Sequence, residues 1–268
     1  MSRRRGLVAG AVVLSFVLVG CSDVAASESS PSNTPSASST PSASSSPSAS
    51  SSPSASSTTP SATPTPKPTP PKPKVTHKPQ YYALQVERQL DKLGYPVGDV
   101  DGDITRRAKQ ALCAWRETHG MPISRKGLTL TDVNSVLNAT TRPTPTREPG
   151  IYVNKTCQVA YQIVGKTYKR IVWISTGAPG YETPNRTGKV WRKWAGAHES
   201  SLYPDAYMYD SLYFLRDRPG IALHGSRVNS LVKPYPASHR CVRVTRPEIH
   251  QIFRETPIGT KVQVYGDY

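Results

Sequence analysis

The chain has 268 residues, carries 34 Lys and Arg against 18 Asp and Glu, and has a formal net charge of +16. Only 36% of its residues are hydrophobic and 26 are proline, which excludes a single uniformly packed globule and assigns part of the length to unpacked chain. Inside a cell such a charge would point to nucleic acid, but the first residues point elsewhere.

Arg3-Arg4-Arg5 precedes an apolar run from Leu7 to Val19, the layout of an export signal rather than of a spanning helix. The run stops at Leu18-Val19-Gly20-Cys21. This resembles the bacterial lipobox, which implies a signal peptide over residues 1–20, lipidation of Cys21 and a mature chain that starts there. The alternative is an ordinary signal peptide with an incidental cysteine. Acyl chains would hold the protein to the outer face of the membrane, each buried methylene contributing about 0.8 kcal/mol. Outside the cell the available polyanions are wall polymers and anionic lipid heads, so no nucleic-acid partner is expected. A generally basic, solvated surface is the alternative source of the charge.

Residues 21–80 read as a tether. A Ser/Ala/Pro/Thr repeat runs from Ser27 to about Ser61 and buries too little apolar surface to offset its ordering entropy. Thr-Pro and Lys-Pro steps from Pro64 to Pro79 favour extended polyproline II. Roughly 50 such residues reach on the order of 150 Å at full extension. The segment is either a stalk into the cell wall or a plain spacer.

Residues 81–140 read as a small all-α, three-helix domain. Leu84, Val86, Leu90 and Leu93 fit one helix over 82–93, stopped by Gly94-Tyr95-Pro96. Thr105 is a candidate N-cap for a second helix to about residue 118, with Ala108, Ala111, Leu112 and Trp115 on one face. A third covers 132–137. Leu84-Gln85, Leu93-Gly94-Tyr95, Val100-Asp101-Gly102, Thr105-Arg106-Arg107-Ala108 and the Trp115…Gly120-Met121 exit resemble the peptidoglycan-binding domain of wall enzymes. Where that family commonly exits through Phe-Gln, this chain has Trp115-Arg116, so wall binding and a structural spacer both stay open.

After the linker Arg142-Pro143-Thr144-Pro145 the periodicity changes to strands, expected at 158–163, 170–175, 213–215, 221–223 and 261–265, with one helix at 247–254. With Cys21 lipidated, three cysteines remain, which in an exported protein suggests one pair and one free thiol. Cys113 on the second helix and Cys157 at the first hairpin are the expected disulfide, and two buried free thiols are the alternative.

That leaves Cys241, set in Ser238-His239-Arg240-Cys241-Val242-Arg243, with His224 in the apolar run Ile221-Ala222-Leu223-His224-Gly225-Ser226. A thiol between arginines is expected to ionise readily, and a separate histidine supplies a base. The alternative is a small buried hydrophobe. These two stretches, together with Val172-Trp173-Ile174-Ser175-Thr176-Gly177, Thr183-Pro184-Asn185-Arg186-Thr187-Gly188 and Ile258-Gly259-Thr260-Lys261-Val262, resemble the L,D-transpeptidase catalytic domain, also called the YkuD domain, over residues 149–266. The resemblance implies a mainly β, sandwich-like domain with a short helix. It implies an acyltransferase that forms 3→3 cross-links between peptidoglycan stem peptides through a Cys241 thioester, and sensitivity to carbapenem-type inhibitors. It assigns His224 as general base, His239 to the pocket and oxyanion, and backbone N–H groups around Cys241 to the oxyanion hole. Arg243, Ser238, Gly225 and Tyr213 are the expected substrate contacts, with bracing of the loop the alternative for Arg243 and core packing the alternative for Tyr213.

Arg240 stands where that family has glycine, a position that suggests positive φ and a side chain able to crowd the substrate. A wall-binding pseudoenzyme and an L,D-carboxypeptidase are therefore the competing readings. No metal-ligand spacing and no cofactor motif is present, so neither is expected.

Overall fold

The computed structural model describes residues 75–201 and 203–268. Cys21, residues 1–20 expected as a signal peptide and nearly all of residues 21–80 expected as a tether lie outside them. The described residues fall in one compact unit, and none of their helices is long and apolar enough to cross a membrane.

Three helices come first: α1 (Ala83–Lys92), α2 (Arg106–Thr118) and α3 (Leu130–Leu137), with a 3₁₀ turn at Pro79–Tyr82 leading into α1. Each start has a local cause. Thr105 accepts from the Ala108 N–H at 3.2 Å, capping α2. Thr129 and Asp132 form a reciprocal capping box on α3, which moves its start two residues ahead of the expected position. Ahead of α2, the Glu87 carboxylate accepts the Gly102 N–H at 2.7 Å and pins the Asp-rich turn to α1.

The second half is one nine-stranded sheet in the order β4-β9-β1-β2-β3-β8-β7-β6-β5. Its strands are β1 (Gly150–Asn154), β2 (Val159–Val164), β3 (Thr167–Ser175), β4 (Thr187–Lys189), β5 (Arg192–Glu199), β6 (Tyr207–Tyr213), β7 (Ala222–Ser226), β8 (Val242–Val244) and β9 (Lys261–Tyr265), with α4 (Arg246–Glu255) between β8 and β9. The expected sandwich is thus a single continuous sheet that curls. Residues of β1, β3, β7, β8 and β9 and the apolar face of α4 meet in one core, including Ile151, Ile174, Leu223, Val242, Ile249 and Val262. β1 pairs β9 in parallel and β7 pairs β8 in parallel; the other neighbours are antiparallel.

The first three strands are covered on both faces. In β1, Ile151 and Val153 enter that core while Tyr152 joins the cluster under the helices. In β2 and β3 the alternation repeats, with Ala160, Val172 and Ile174 on one side and Val159, Tyr161 and Ile171 on the other. Period-2 alternation with both faces buried is what a run such as Val159-Ala160-Tyr161 requires.

The helices cover the outer face of the sheet through α2. Gln110, Cys113 and Glu117, spaced on one face of α2, all reach the sheet side. Gln110 Nε2 donates to the Gln158 carbonyl at 2.8 Å. Cys113 and Cys157 form the disulfide, with Cα atoms 5.4 Å apart. Glu117 accepts from Tyr161 Oη at 2.6 Å, from Arg147 Nη2 at 3.1 Å, and from Tyr265 and Asn154. Trp173 Nε1 donates to the Pro96 carbonyl at 2.7 Å beneath the Arg107 guanidinium.

Candidate active site

The β7–β8 pairing builds the site by alternation. Its parallel register sets Leu223 beside Val242 and His224 beside Arg243. Leu223, Val242 and Val244 face the core. His224, Ser226, Cys241 and Arg243 therefore share the opposite face. They line a cavity of about 350 Å³ together with Ser238 and His239. The sequence singled out five of these six residues, Ser226 only as part of a motif.

The loop that carries Cys241 is fixed from several sides. Ser238 Oγ donates to the Cys241 carbonyl, and Thr183 Oγ1 donates to the same oxygen at 3.3 Å. Ala237 and Ser238 N–H both donate to the Thr176 carbonyl at 2.9 Å. Arg243 Nη1 donates to the Ala237 carbonyl at 2.9 Å, so this arginine braces the loop and also reaches the cavity. Gly177 runs so close beneath that a Cβ there would sit 1.8 Å from the Tyr181 carbonyl oxygen.

The Cys241 thiol is the free cysteine of the described residues. It donates to the Gly220 carbonyl at 3.4 Å. Burial pushes its pKa up to about 11, and the lowering by an Ala222 N–H and by Arg243 is smaller. The expectation of a charge-activated thiol is thereby corrected: desolvation of the thiolate outweighs the arginine next door. Arg240 makes no contribution to that balance. His224 is buried, and desolvation lowers its pKa to about 4. Its Nδ1 lies 2.7 Å from the Gly225 carbonyl. A carbonyl only accepts, so Nδ1 carries the proton and Nε2 keeps its lone pair. The resting pair is a neutral thiol and a neutral imidazole.

His239 is exposed and sits between two tyrosine rings, Tyr181 at 4.6 Å and Tyr203 at 4.7 Å. Neither tyrosine was singled out from sequence; both come from loops distant in the chain. Two expected substrate contacts fall away from the cavity wall. Tyr213 is buried behind Cys241 in the cluster with Met208 and Ala222, its hydroxyl 3.1 Å from His198 Nε2. Gly225 faces the core side, where a Cβ would meet Ile249 and Arg246 at 3.0 and 3.2 Å. Its glycine identity serves packing and its carbonyl orients His224.

Arg240 adopts φ +73°, as a glycine-like position suggests. Its N–H donates to the Tyr181 carbonyl at 3.0 Å, so it is no oxyanion donor. Its side chain does not line the cavity of Cys241 and His224. It borders a second cavity of about 580 Å³ with Arg192, Arg218, Gly220 and Tyr203. Among the described residues no group of His, Cys, Asp and Glu is arranged to hold a metal ion.

Among curated proteins none matches the chain. The chain is similar to solved structures of an L,D-transpeptidase from Xylanimonas cellulosilytica, at 27% identity over 74% of this chain and 100% of that one with a TM-score of 0.48. It is similar to an L,D-transpeptidase from Stackebrandtia nassauensis at 21% identity, over 75% and 98% of the two chains, with a TM-score of 0.44. An L,D-transpeptidase 3 from Mycobacterium tuberculosis, solved with a faropenem-derived adduct, matches at 16% identity over 44% and 61%, with a TM-score of 0.38. Residues 148–264, which hold all nine strands but the last residue of β9, match the model of the YkuD family, the L,D-transpeptidase catalytic domain.

Proposed function

We propose that this protein is an exported acyltransferase that joins peptidoglycan stem peptides through a Cys241 thioester, with His224 as the base. The observation that carries the reading is the register of β7 and β8, which puts Cys241, His224 and Arg243 on one face and into one cavity. In the first half-reaction the Cys241 thiol passes its proton to His224 Nε2 as the sulfur attacks a peptide carbonyl. The C–N bond then breaks, and the imidazolium returns the proton to the departing D-alanine amine. In the second, the side-chain amine of another stem attacks the thioester and gives its proton to His224; the C–S bond breaks to release a 3→3 linked dimer, and the imidazolium returns that proton to the departing Cys241 sulfur. Because both groups rest neutral, thiolate forms only as the bond to carbon forms. Backbone N–H groups of the 239–241 segment other than that of Arg240 stabilise the oxyanion, each contributing on the order of 3 kcal/mol.

The supporting context is the lipobox-like Cys21 and the Ser/Pro/Thr tether, which would put the catalytic half outside the membrane within reach of the wall. The helices would then serve as a wall-binding module or as a structural cover for β1–β3. The helical cover packs into the catalytic half through Glu117, Gln110 and the disulfide.

The test is incubation of the full chain with a carbapenem followed by intact-protein mass spectrometry. One adduct, mapped to Cys241 and absent from Cys241→Ser, is expected. An unmodified protein after prolonged exposure would leave the pseudoenzyme reading in its place. With stem tetrapeptides, a dimeric product identifies transpeptidation and a tripeptide product identifies carboxypeptidase activity.

A further inference from the structure

We infer that Arg192, Arg218 and Arg240 form a carboxylate-binding subsite beside Cys241 that takes the free C-terminal carboxylate of the donor peptide. The inference rests on Cys241 being the acylated residue.

The three arginines line one cavity. Among the described residues none of them forms an ion pair, and Arg192 Nε is buried without a hydrogen-bond partner. Arg240 acts on one carboxylate, that of Glu182, which is held below its usual range first by the Gly180 N–H and its own N–H, and only then by Lys155 and Arg240. Like charges around one cavity repel, and a buried guanidinium N–H without a partner is costly. The fold nevertheless holds them there by two devices. Arg192 is stacked on the Tyr213 ring at 4.2 Å and lies 5.2 Å from that of Trp194. Arg240 occupies a left-handed backbone conformation, which costs a non-glycine residue roughly 1–2 kcal/mol. A strained residue beside a nucleophile, carrying an unpaired charge into a cavity, points to a ligand of opposite charge. Guanidinium groups pair best with planar carboxylates.

Position selects the carboxylate. Cys241 follows Arg240 in the chain, and its thiol donates to Gly220, a wall residue of the arginine cavity. When the last peptide bond is attacked, the terminal carboxylate lies one residue away, about 3.8 Å between Cα atoms. The carboxylates of earlier stem residues lie on the other side of the attacked carbonyl. The arginines are thus positioning and specificity residues for the leaving end.

The test is calorimetric binding to the full chain carrying Cys241→Ala, which removes turnover. The probes are a stem tetrapeptide with a free C-terminus, its C-terminal amide, and the same peptide amidated only at internal carboxylates. The free acid and the internally amidated peptide are expected to bind at least about tenfold tighter than the C-terminal amide. That preference should vanish in Arg218→Gln/Arg240→Gln, two exposed positions, while affinity for the C-terminal amide and the melting temperature stay near those of the parent. Equal binding of acid and C-terminal amide overturns the inference. So does loss of affinity on internal amidation alone, or a preference that survives the double substitution. Failure of the subsite and failure of the nucleophile read differently: a carbapenem adduct without terminal-carboxylate preference removes only the subsite, and absence of any adduct removes the acyl-transfer reading.

Discussion

At the scale of residues, Cys241 and His224 are governed by burial rather than by the arginines around them. A thiol near 11 in the free protein predicts slow alkylation at neutral pH. Iodoacetamide labelling of Cys241 should accelerate about tenfold per pH unit from 7 to 10 with no plateau, followed by mass spectrometry. A plateau at neutral pH would show instead that the arginines dominate. His224 makes a separate prediction. Its folded pKa of about 4 lies below the unfolded value near 6.5. Between these values the unfolded chain binds more protons, so the contribution to stability is complete above about pH 6.5 and is lost as pH falls toward 4. The loss is on the order of 3 kcal/mol. His119 and His198 are lowered by burial as well and add to the same slope. Urea unfolding at pH 7 and 4.5 should therefore show a shallower drop for His224→Gln than for the parent. Arg240→Gly relieves the left-handed strain and adds unfolded-chain entropy; the net expected is a gain of about 0.5–1 kcal/mol in stability.

At the scale of elements, the candidate site was legible because strand alternation is a local rule. His224 and Cys241 could be named from sequence, and β7 and β8 need only pair in register to bring them together. Helix α2 shows the opposite case. Its apolar face, Ala108, Ala111, Leu112 and Trp115, was visible in the spacing. Cys113 was expected to bridge to Cys157 and does, but Gln110 and Glu117, which carry the rest of the docking to the sheet, were not read, because polar residues on a helix ordinarily read as a solvated face. Arg116 was likewise read as a departure from a family exit, yet it is 4% exposed and pairs with Asp132 through two bonds of 2.9 and 2.6 Å. It also donates to the Ser124, Lys126 and Gly127 carbonyls, shaping the loop into α3. Asp132→Asn leaves that guanidinium without its counter-charge and should cost about 3–5 kcal/mol in chemical denaturation. A joint Arg116→Met/Asp132→Leu change should recover part of the loss if charge burial is the cause.

At the scale of the molecule, helices and sheet pack as one unit, tied by the Cys113–Cys157 bridge, the Glu117 cluster and the shared apolar cluster under the helices. The bridge spans a sequence separation of 44, for which loop-closure entropy in the unfolded chain amounts to about 4 kcal/mol. Cys113→Ser/Cys157→Ser should lower the melting temperature markedly, by calorimetry, while Cys241 remains open to a carbapenem. Loss of the adduct together with the bridge would mean that the helical cover holds the loop of Cys241 in place through Gln158, whose side chain bonds Thr176.

Sequence by itself determined the elements with strong local signals: three helices, the Thr105 cap of the second, a strand-rich second half, and the stretches around Cys241 and His224 as a candidate site. These rest on periodicity, capping chemistry and motif spacing, all of which act within a few residues. Only the tertiary structure decided the rest. It curled the sheet into one nine-stranded layer, since strand order depends on pairings far apart in the chain. It moved Tyr213 and Gly225 off the cavity wall. It raised the Cys241 pKa, because burial is a property of the packed molecule and not of neighbouring letters. And it turned Arg240 away from the cavity of Cys241 and His224 toward Arg192 and Arg218, two arginines that no local pattern connects to it.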